Sequence, residues 1–100
     1  MSDKIYTLDE IKSIAAPIAR QYGVAAMYLF GSYARGDMTN DSDIDLRIDK
    51  GSIRGFQLAG LLLDLEDSLG VPVDLVPTTS LDPRSLDSIR KDEVLLYEAS

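Results

Sequence analysis

The 100-residue chain has no cysteine and no histidine. Without cysteine there is no disulfide framework, no thiolate nucleophile and no zinc–thiolate site. Without histidine the commonest general base, the usual hydrolytic triad and imidazole metal ligands are all excluded. Positive charge is scarce: Lys and Arg number 10 against 17 Asp and Glu, a net charge of −7. That balance argues against a non-specific nucleic-acid binder, which needs a basic face to displace counterions from phosphate. It suits a protein that binds cations or a basic partner. Long hydrophobic runs are missing too. The longest, Leu58–Leu65, is far too short to span a membrane, and the opening MSDKIYTLDE carries no apolar signal region. The expectation is a cytoplasmic protein whose chemistry, if it has any, runs on carboxylates, Lys, Arg, Tyr, Ser or a bound metal.

What is present fits one domain, residues 1–100. The chain is 45% hydrophobic and 27% charged, ordinary for a soluble fold. So small a domain has little room for a second module, and an enzyme built on it would borrow part of its substrate pocket from a partner. Thr7 and Glu10 form a capping box at the head of a helix over about Leu8–Tyr22. Ile11, Ile14, Ala15 and Ile18 give its core stripe, Pro17 is expected to kink it and Gly23 to stop it. Val24–Phe30 reads as a buried strand and Ser32–Arg35 as a short helical turn. Asp43–Ile48 alternates strictly, with Ile44, Leu46 and Ile48 on one face and Asp43, Asp45 and Arg47 on the other. A second long helix, about Arg54–Leu69, buries Leu58, Leu61, Leu62, Leu65 and Leu69. Val71–Val76 is a third strand, with Asp74 in an apolar, interior setting. Asp82 and Pro83 open a short helix to about Lys91. Val94–Glu98 is a terminal strand or an extended tail. The order predicts an α/β fold, a small sheet with helices packed mainly on one face.

Three strands each bring something polar to one end of that sheet. The first ends in Gly31-Ser32, the second carries Asp43 and Asp45 on one face, and the third carries Asp74. Three converging carboxylates repel and raise one another's pKa. A pair of Mg²⁺ ions, which take carboxylate and phosphate oxygens, would relieve this and would clamp an in-line displacement. Gly31 lets a phosphate approach the backbone, Ser32 opens a turn whose free amides point at an anion, and Arg35 could add positive charge. Each piece alone also reads as ordinary structure. Gly-Ser makes a turn, Asp43 and Asp45 a solvated strand face, Asp74 a buried capping or ion-pairing residue, and Arg35 a partner for Asp37. Asp37 and Asp41 belong to the connecting turn. Two near-matches fail. Gly31 and Gly36 have P-loop spacing, but Asp37 stands where Lys is required and Met38 where Ser or Thr is. Asp41, Asp43 and Asp45 match the first ligands of an EF-hand loop, but Leu46 replaces its Gly and Ser52 its closing Glu.

Gly31-Ser32-x-x-Arg35-Gly36, Ser42-Asp43-x-Asp45-Leu46 and Val73-Asp74-Leu75-Val76, taken together, resemble the DNA polymerase β-like nucleotidyltransferase superfamily. The brevity of the chain and the tail RKDEVLLYE resemble its minimal nucleotidyltransferase (MNT) branch. The resemblance runs from Ile11 to Glu98. It implies the polymerase β-like fold, a small mixed sheet. It implies that Gly31 and Ser32 hold a nucleoside triphosphate tail, and that Asp43 and Asp45 ligate two Mg²⁺. Asp74 would ligate the catalytic metal and help deprotonate an acceptor hydroxyl, with attack on the α-phosphorus and loss of pyrophosphate.

Proteins of that branch are often antitoxins that transfer AMP from ATP to a tyrosine of a HEPN-domain ribonuclease toxin. Arg47 departs from the family, which often has an apolar residue there, and Lys50-Gly51 makes a polar exit from the strand. Besides a catalytic antitoxin, three readings stay open: an antitoxin that only binds its toxin, a small-molecule nucleotidyltransferase, and a plain metal- or anion-binding module. The full set of Asp43, Asp45 and Asp74 weighs against the binding-only antitoxin, and the lack of an added substrate domain against the small-molecule enzyme.

Overall fold

The computed structural model describes residues 5–99. Thr7 Oγ1 accepts from the Glu10 amide at 3.1 Å while Glu10 Oε1 accepts from the Thr7 amide at 2.9 Å, so the capping box forms as expected. It opens α1, Leu8–Tyr22, which runs unbroken past Pro17. Ile11, Ala15 and Ala19, four apart, are the residues of α1 that are fully buried. Ile14 and Ile18 flank that stripe and are only partly covered.

The remaining elements are β1 (Ala26–Phe30), α2 (Ser32–Arg35), β2 (Ile44–Asp49), α3 (Gly55–Leu69), β3 (Val73–Pro77), a 3-10 turn (Thr78–Ser80), α4 (Pro83–Arg90) and β4 (Val94–Glu98). The strands form one mixed sheet in the order β3-β2-β1-β4. β1 is antiparallel to both β2 and β4, whereas β2 and β3 run parallel. A parallel pair needs a long crossover, and α3 supplies it. β4 is a paired edge strand rather than a loose tail, with a bulge opposite Met27 and Tyr28.

Several boundaries differ from the sequence reading by a residue or two. Val24 and Ala25 precede β1, although the Ala25 amide already donates to the Asp49 carbonyl at 2.9 Å. β2 begins at Ile44 and takes in Asp49. β3 begins at Val73, because Pro72 has no amide to give to the ladder.

α1 and α3 pack against each other over one face of the sheet. Tyr22 at the end of α1 donates its hydroxyl to Asp64 of α3. Met27 and Leu29 of β1, Ile44, Leu46 and Ile48 of β2, and Leu96 of β4 meet Leu61, Leu65 and Leu69 of α3 in a single core. Burying side chains of this size contributes roughly 1.5–3 kcal/mol each before entropy. α4 lies outside that core and has no fully buried residue. With Met27, Leu29, Ile44, Leu46 and Ile48 turned to the helices, strand alternation puts Tyr28, Phe30, Asp45, Arg47, Asp49, Asp74 and Val76 on the opposite face. Among the described residues no helix is long and apolar enough to cross a membrane.

Candidate active site

Phe30 is the last residue of β1, and the chain turns sharply after it. Gly31 takes φ 75° and ψ −152°, a conformation essentially reserved for glycine, and its carbonyl accepts from the Ala34 and Arg35 amides to start the single turn of α2. A β-carbon on Gly31 would stand 2.1 Å from Asp45 Oδ2. Glycine is therefore needed twice, for the backbone and to leave room for a carboxylate. Tyr33, the next residue but one, is 2% exposed and anchors the turn in the core. Sequence reading missed it, although a bulky aromatic inside a polar turn was the available signal.

Asp45 is half-buried on β2, opposite Phe30 on one side and Asp74 on the other. The Asp45–Asp74 pairing is direct register in parallel strands, so the two side chains leave the sheet side by side at about the strand spacing of 4.8 Å. Asp43 precedes β2 by one residue and is exposed. Asp74 is exposed as well, which corrects the expectation of an interior carboxylate. β3 is an edge strand with a single neighbour, and its apolar flanks Val73 and Leu75 point to the other face.

The electrostatics follow from this crowding. Burial, then Asp74, then Asp43 push the Asp45 carboxyl up to about 6, and Arg35 partly offsets them. Arg35 also pairs with Asp37 at 3.3 Å, both side chains well exposed. Arg35 thus makes its ordinary pair with Asp37 and also acts on Asp45. Asp41 is exposed in the connecting turn, its amide donating to Thr39 Oγ1 at 3.3 Å, and takes no part in the cluster.

The structure brings Asp45, Asp74 and Gly31 together and leaves Asp37 and Asp41 aside. Among the described residues no three acidic side chains stand ready around one common point. The donor set nonetheless fits a hard divalent cation. It offers only carboxylate oxygens, and burial and the neighbouring Asp74 and Asp43 push the Asp45 carboxyl up, a strain that a bound cation would relieve. The missing β-carbon of Gly31 leaves the room that the Asp45 carboxylate takes up.

Further along the same face lies a group that sequence reading did not find. Arg47, read there as part of a polar strand face, is 2% exposed. It pairs with Glu93 through Nε and Nη2, with contacts of 2.8 to 3.1 Å. Nη1 donates to Thr78 Oγ1 at 2.8 Å, and the guanidinium lies 4.0 Å from the centroid of the Tyr28 ring. Glu93 and Thr78 come from the segments before β4 and after β3, which alternation along one strand cannot reveal.

A mixed four-stranded sheet with a glycine-serine turn at the end of β1, an Asp-x-Asp strand beside it and a third aspartate on the parallel neighbour defines a nucleotidyltransferase. The chain belongs to the family described as "Polymerase beta, Nucleotidyltransferase", which it matches over residues 12–100. It is 39% identical to the protein adenylyltransferase MntA of Thermococcus cleftensis, over 75% of this chain and 81% of that one. Among solved structures it resembles a toxin–antitoxin complex with AMP-PNP, at TM-score 0.74 and 26% identity over 93% of this chain and 76% of that one. The same fold recurs in a structure of the tri-AMPylated Shewanella oneidensis HEPN toxin in complex with MNT antitoxin. There the TM-score is 0.68 and the identity 21%, over 89% of this chain and 71% of that one.

Proposed function

We propose that this chain is a protein adenylyltransferase antitoxin, which transfers AMP from ATP to a hydroxyl, most simply a tyrosine, of a HEPN-domain ribonuclease toxin and silences it. The observation that carries the reading is the side-by-side placement of Asp45 and Asp74, with the Asp45 carboxylate packed against Gly31. The names of the relative and of the structural neighbours support it.

The residues divide the work by exposure. Gly31 and Ser32 receive the triphosphate, since a glycine backbone and the first amides of α2 are what phosphate oxygens approach. Arg35 adds charge at the rim. Asp43, Asp45 and Asp74 would hold two Mg²⁺, which when bound neutralise the phosphates and polarise the α-phosphorus. Asp45 is walled in by Gly31 and Phe30. Asp74 lies open on the edge strand. Asp74 is thus the carboxylate an incoming acceptor reaches, and it takes the hydroxyl proton as the oxygen bonds to the α-phosphorus. The bond to the β-phosphate breaks and pyrophosphate leaves. No histidine is needed. Asp74 is exposed on the edge strand, which fits an acceptor presented by a partner protein in a hetero-oligomer. The reaction is assigned to the cytoplasm, where ATP and Mg²⁺ are supplied, with neither nucleic acid nor membrane as a partner.

The test is to mix the chain with ATP, Mg²⁺ and the product of the adjacent gene and to weigh that product by mass spectrometry. An increment of one or more AMP, abolished by Asp43→Asn, is the expected result. A tight complex that binds ATP and gives no adduct would overturn catalysis in favour of neutralisation by binding.

A further inference from the structure

Arg47 is the one charged side chain fully buried among the described residues, and it sits on the site face two residues beyond Asp45. A guanidinium is costly to bury unless it is paired and fully hydrogen-bonded. Here it is both, yet an apolar residue would fill the space without that requirement. Its charge is already matched by Glu93 at 2.8 Å and Asp49 at 3.4 Å. The cation that lowers the pKa of Asp45 is Arg35. The value of Arg47 therefore lies in what its fork holds in place.

It holds the far end of β3. Thr78 follows Pro77, the last residue of β3. Its hydroxyl accepts from Arg47 Nη1 at 2.8 Å and has the Asp49 carboxylate at 2.7 Å and the Ile48 carbonyl at 3.0 Å as outlets for its own proton. β3 needs such support. It is an edge strand in a parallel ladder, the weaker kind. Prolines 72 and 77 bracket it, and neither can donate. The Val73 amide is taken by Glu66 Oε2 at 3.1 Å rather than by β2. A slip of one residue would carry Asp74 to the helix-covered face.

We propose that Arg47 and Thr78 are positioning residues for adenylyl transfer: the Arg47 fork, braced by Glu93, clamps Thr78 against β2 and so sets where Asp74 stands beside Asp45. The proposal rests on the function argued above, because it gives that placement its purpose. The clamp touches neither nucleotide nor acceptor and acts only through Asp74.

The experiment titrates Mn²⁺ into the full chain without acceptor, by calorimetry or electron paramagnetic resonance, and measures AMP transfer separately. Thr78→Val keeps the shape and removes the hydroxyl, and Thr78→Ser restores the hydroxyl. The valine variant is expected to bind Mn²⁺ about tenfold more weakly and to lose on the order of tenfold or more in kcat. Its KM for ATP stays unchanged, because Gly31 and Ser32 are untouched. The serine variant recovers both losses. Arg47→Lys keeps the charge but cannot reach Glu93 and Thr78 together. It is expected to weaken Mn²⁺ binding like the valine variant, and it carries the same test should Thr78→Val fail to fold. Mn²⁺ affinity and kcat equal across the unaltered chain and these variants would overturn the clamp alone. An equal loss in the valine and serine variants would overturn it too, by showing that the hydroxyl is irrelevant. An unaltered chain that binds no Mn²⁺ defeats instead the reading on which the clamp rests.

Discussion

Asp45 carries a penalty that the fold tolerates. Its carboxyl is pushed up to about 6 by burial and by Asp74 and Asp43, while an unfolded chain releases the same proton near 4. Between those values the folded state holds more protons, so stability falls as pH rises from about 4 to about 6 and stays reduced above. Asp45→Asn removes that dependence. In the absence of divalent ions the variant should melt above the unaltered chain at pH 7, with the gap closing by pH 4. A calorimetric series across that range checks it, and a gap independent of pH would refute the assignment. Gly31 is the second residue where structure and chemistry collide. Gly31→Ala imposes about 1–3 kcal/mol of backbone strain and drives a methyl into the Asp45 carboxylate. The expected result is a folded but destabilised protein with AMP transfer lost, measured by denaturant titration alongside the mass-spectrometric assay.

At the scale of elements, the helices and strands that repeat a clear period were legible. α1 and α2 run between the residues expected of them, and Ile44, Leu46 and Ile48 face the core as alternation required. Local signals of capping and period suffice for these because tertiary packing agrees with them. What alternation along one strand cannot say is which strands are neighbours. The interior setting expected of Asp74 failed because VDLV looks central, whereas β3 lies at the sheet edge. The Arg47 cluster stayed hidden because Glu93 and Thr78 are far along the chain. The candidate site was legible as three fragments, and only the β2–β3 register joined Asp74 to Asp45. α4 shows what a local signal is worth without packing. Asp82 Oδ1 accepts from the Ser85 amide at 2.7 Å, and that bond holds the Asp82 carboxyl below its ordinary value. The cap is therefore present above the usual carboxylate range and lost on acidification. Because α4 buries no residue fully, Asp82→Ala should act locally. Amide exchange in α4 is expected to quicken several-fold with the core amides of β1 unchanged. Equal acceleration in both would show that α4 is coupled to the core after all.

At the scale of the whole molecule, the fold separates two tasks by the faces of one sheet. Apolar side chains and two long helices hold the chain together on one side, and on the other, in a chain whose net charge is −7, stand the carboxylates of Asp43, Asp45 and Asp74. The molecule is thus built to be stabilised by what it binds. A cation that binds only the folded chain adds about 2.7 kcal/mol when present at about 100 times its Kd. For a domain of this length each kcal/mol moves Tm by roughly 4–8 °C. Saturating Mg²⁺, supplied with a non-hydrolysable ATP analogue, should accordingly raise Tm by about 10 °C or more at pH 7. General screening of the acidic face by salt is a separate effect, and KCl at matched ionic strength measures it. The Mg²⁺ increment should exceed the KCl increment, shrink on acidification as Asp45 takes up its proton, and vanish in Asp45→Asn. An equal rise with KCl, or a rise that survives in Asp45→Asn, would mean that the acidic face attracts cations without holding them, and that these carboxylates do not form a metal site.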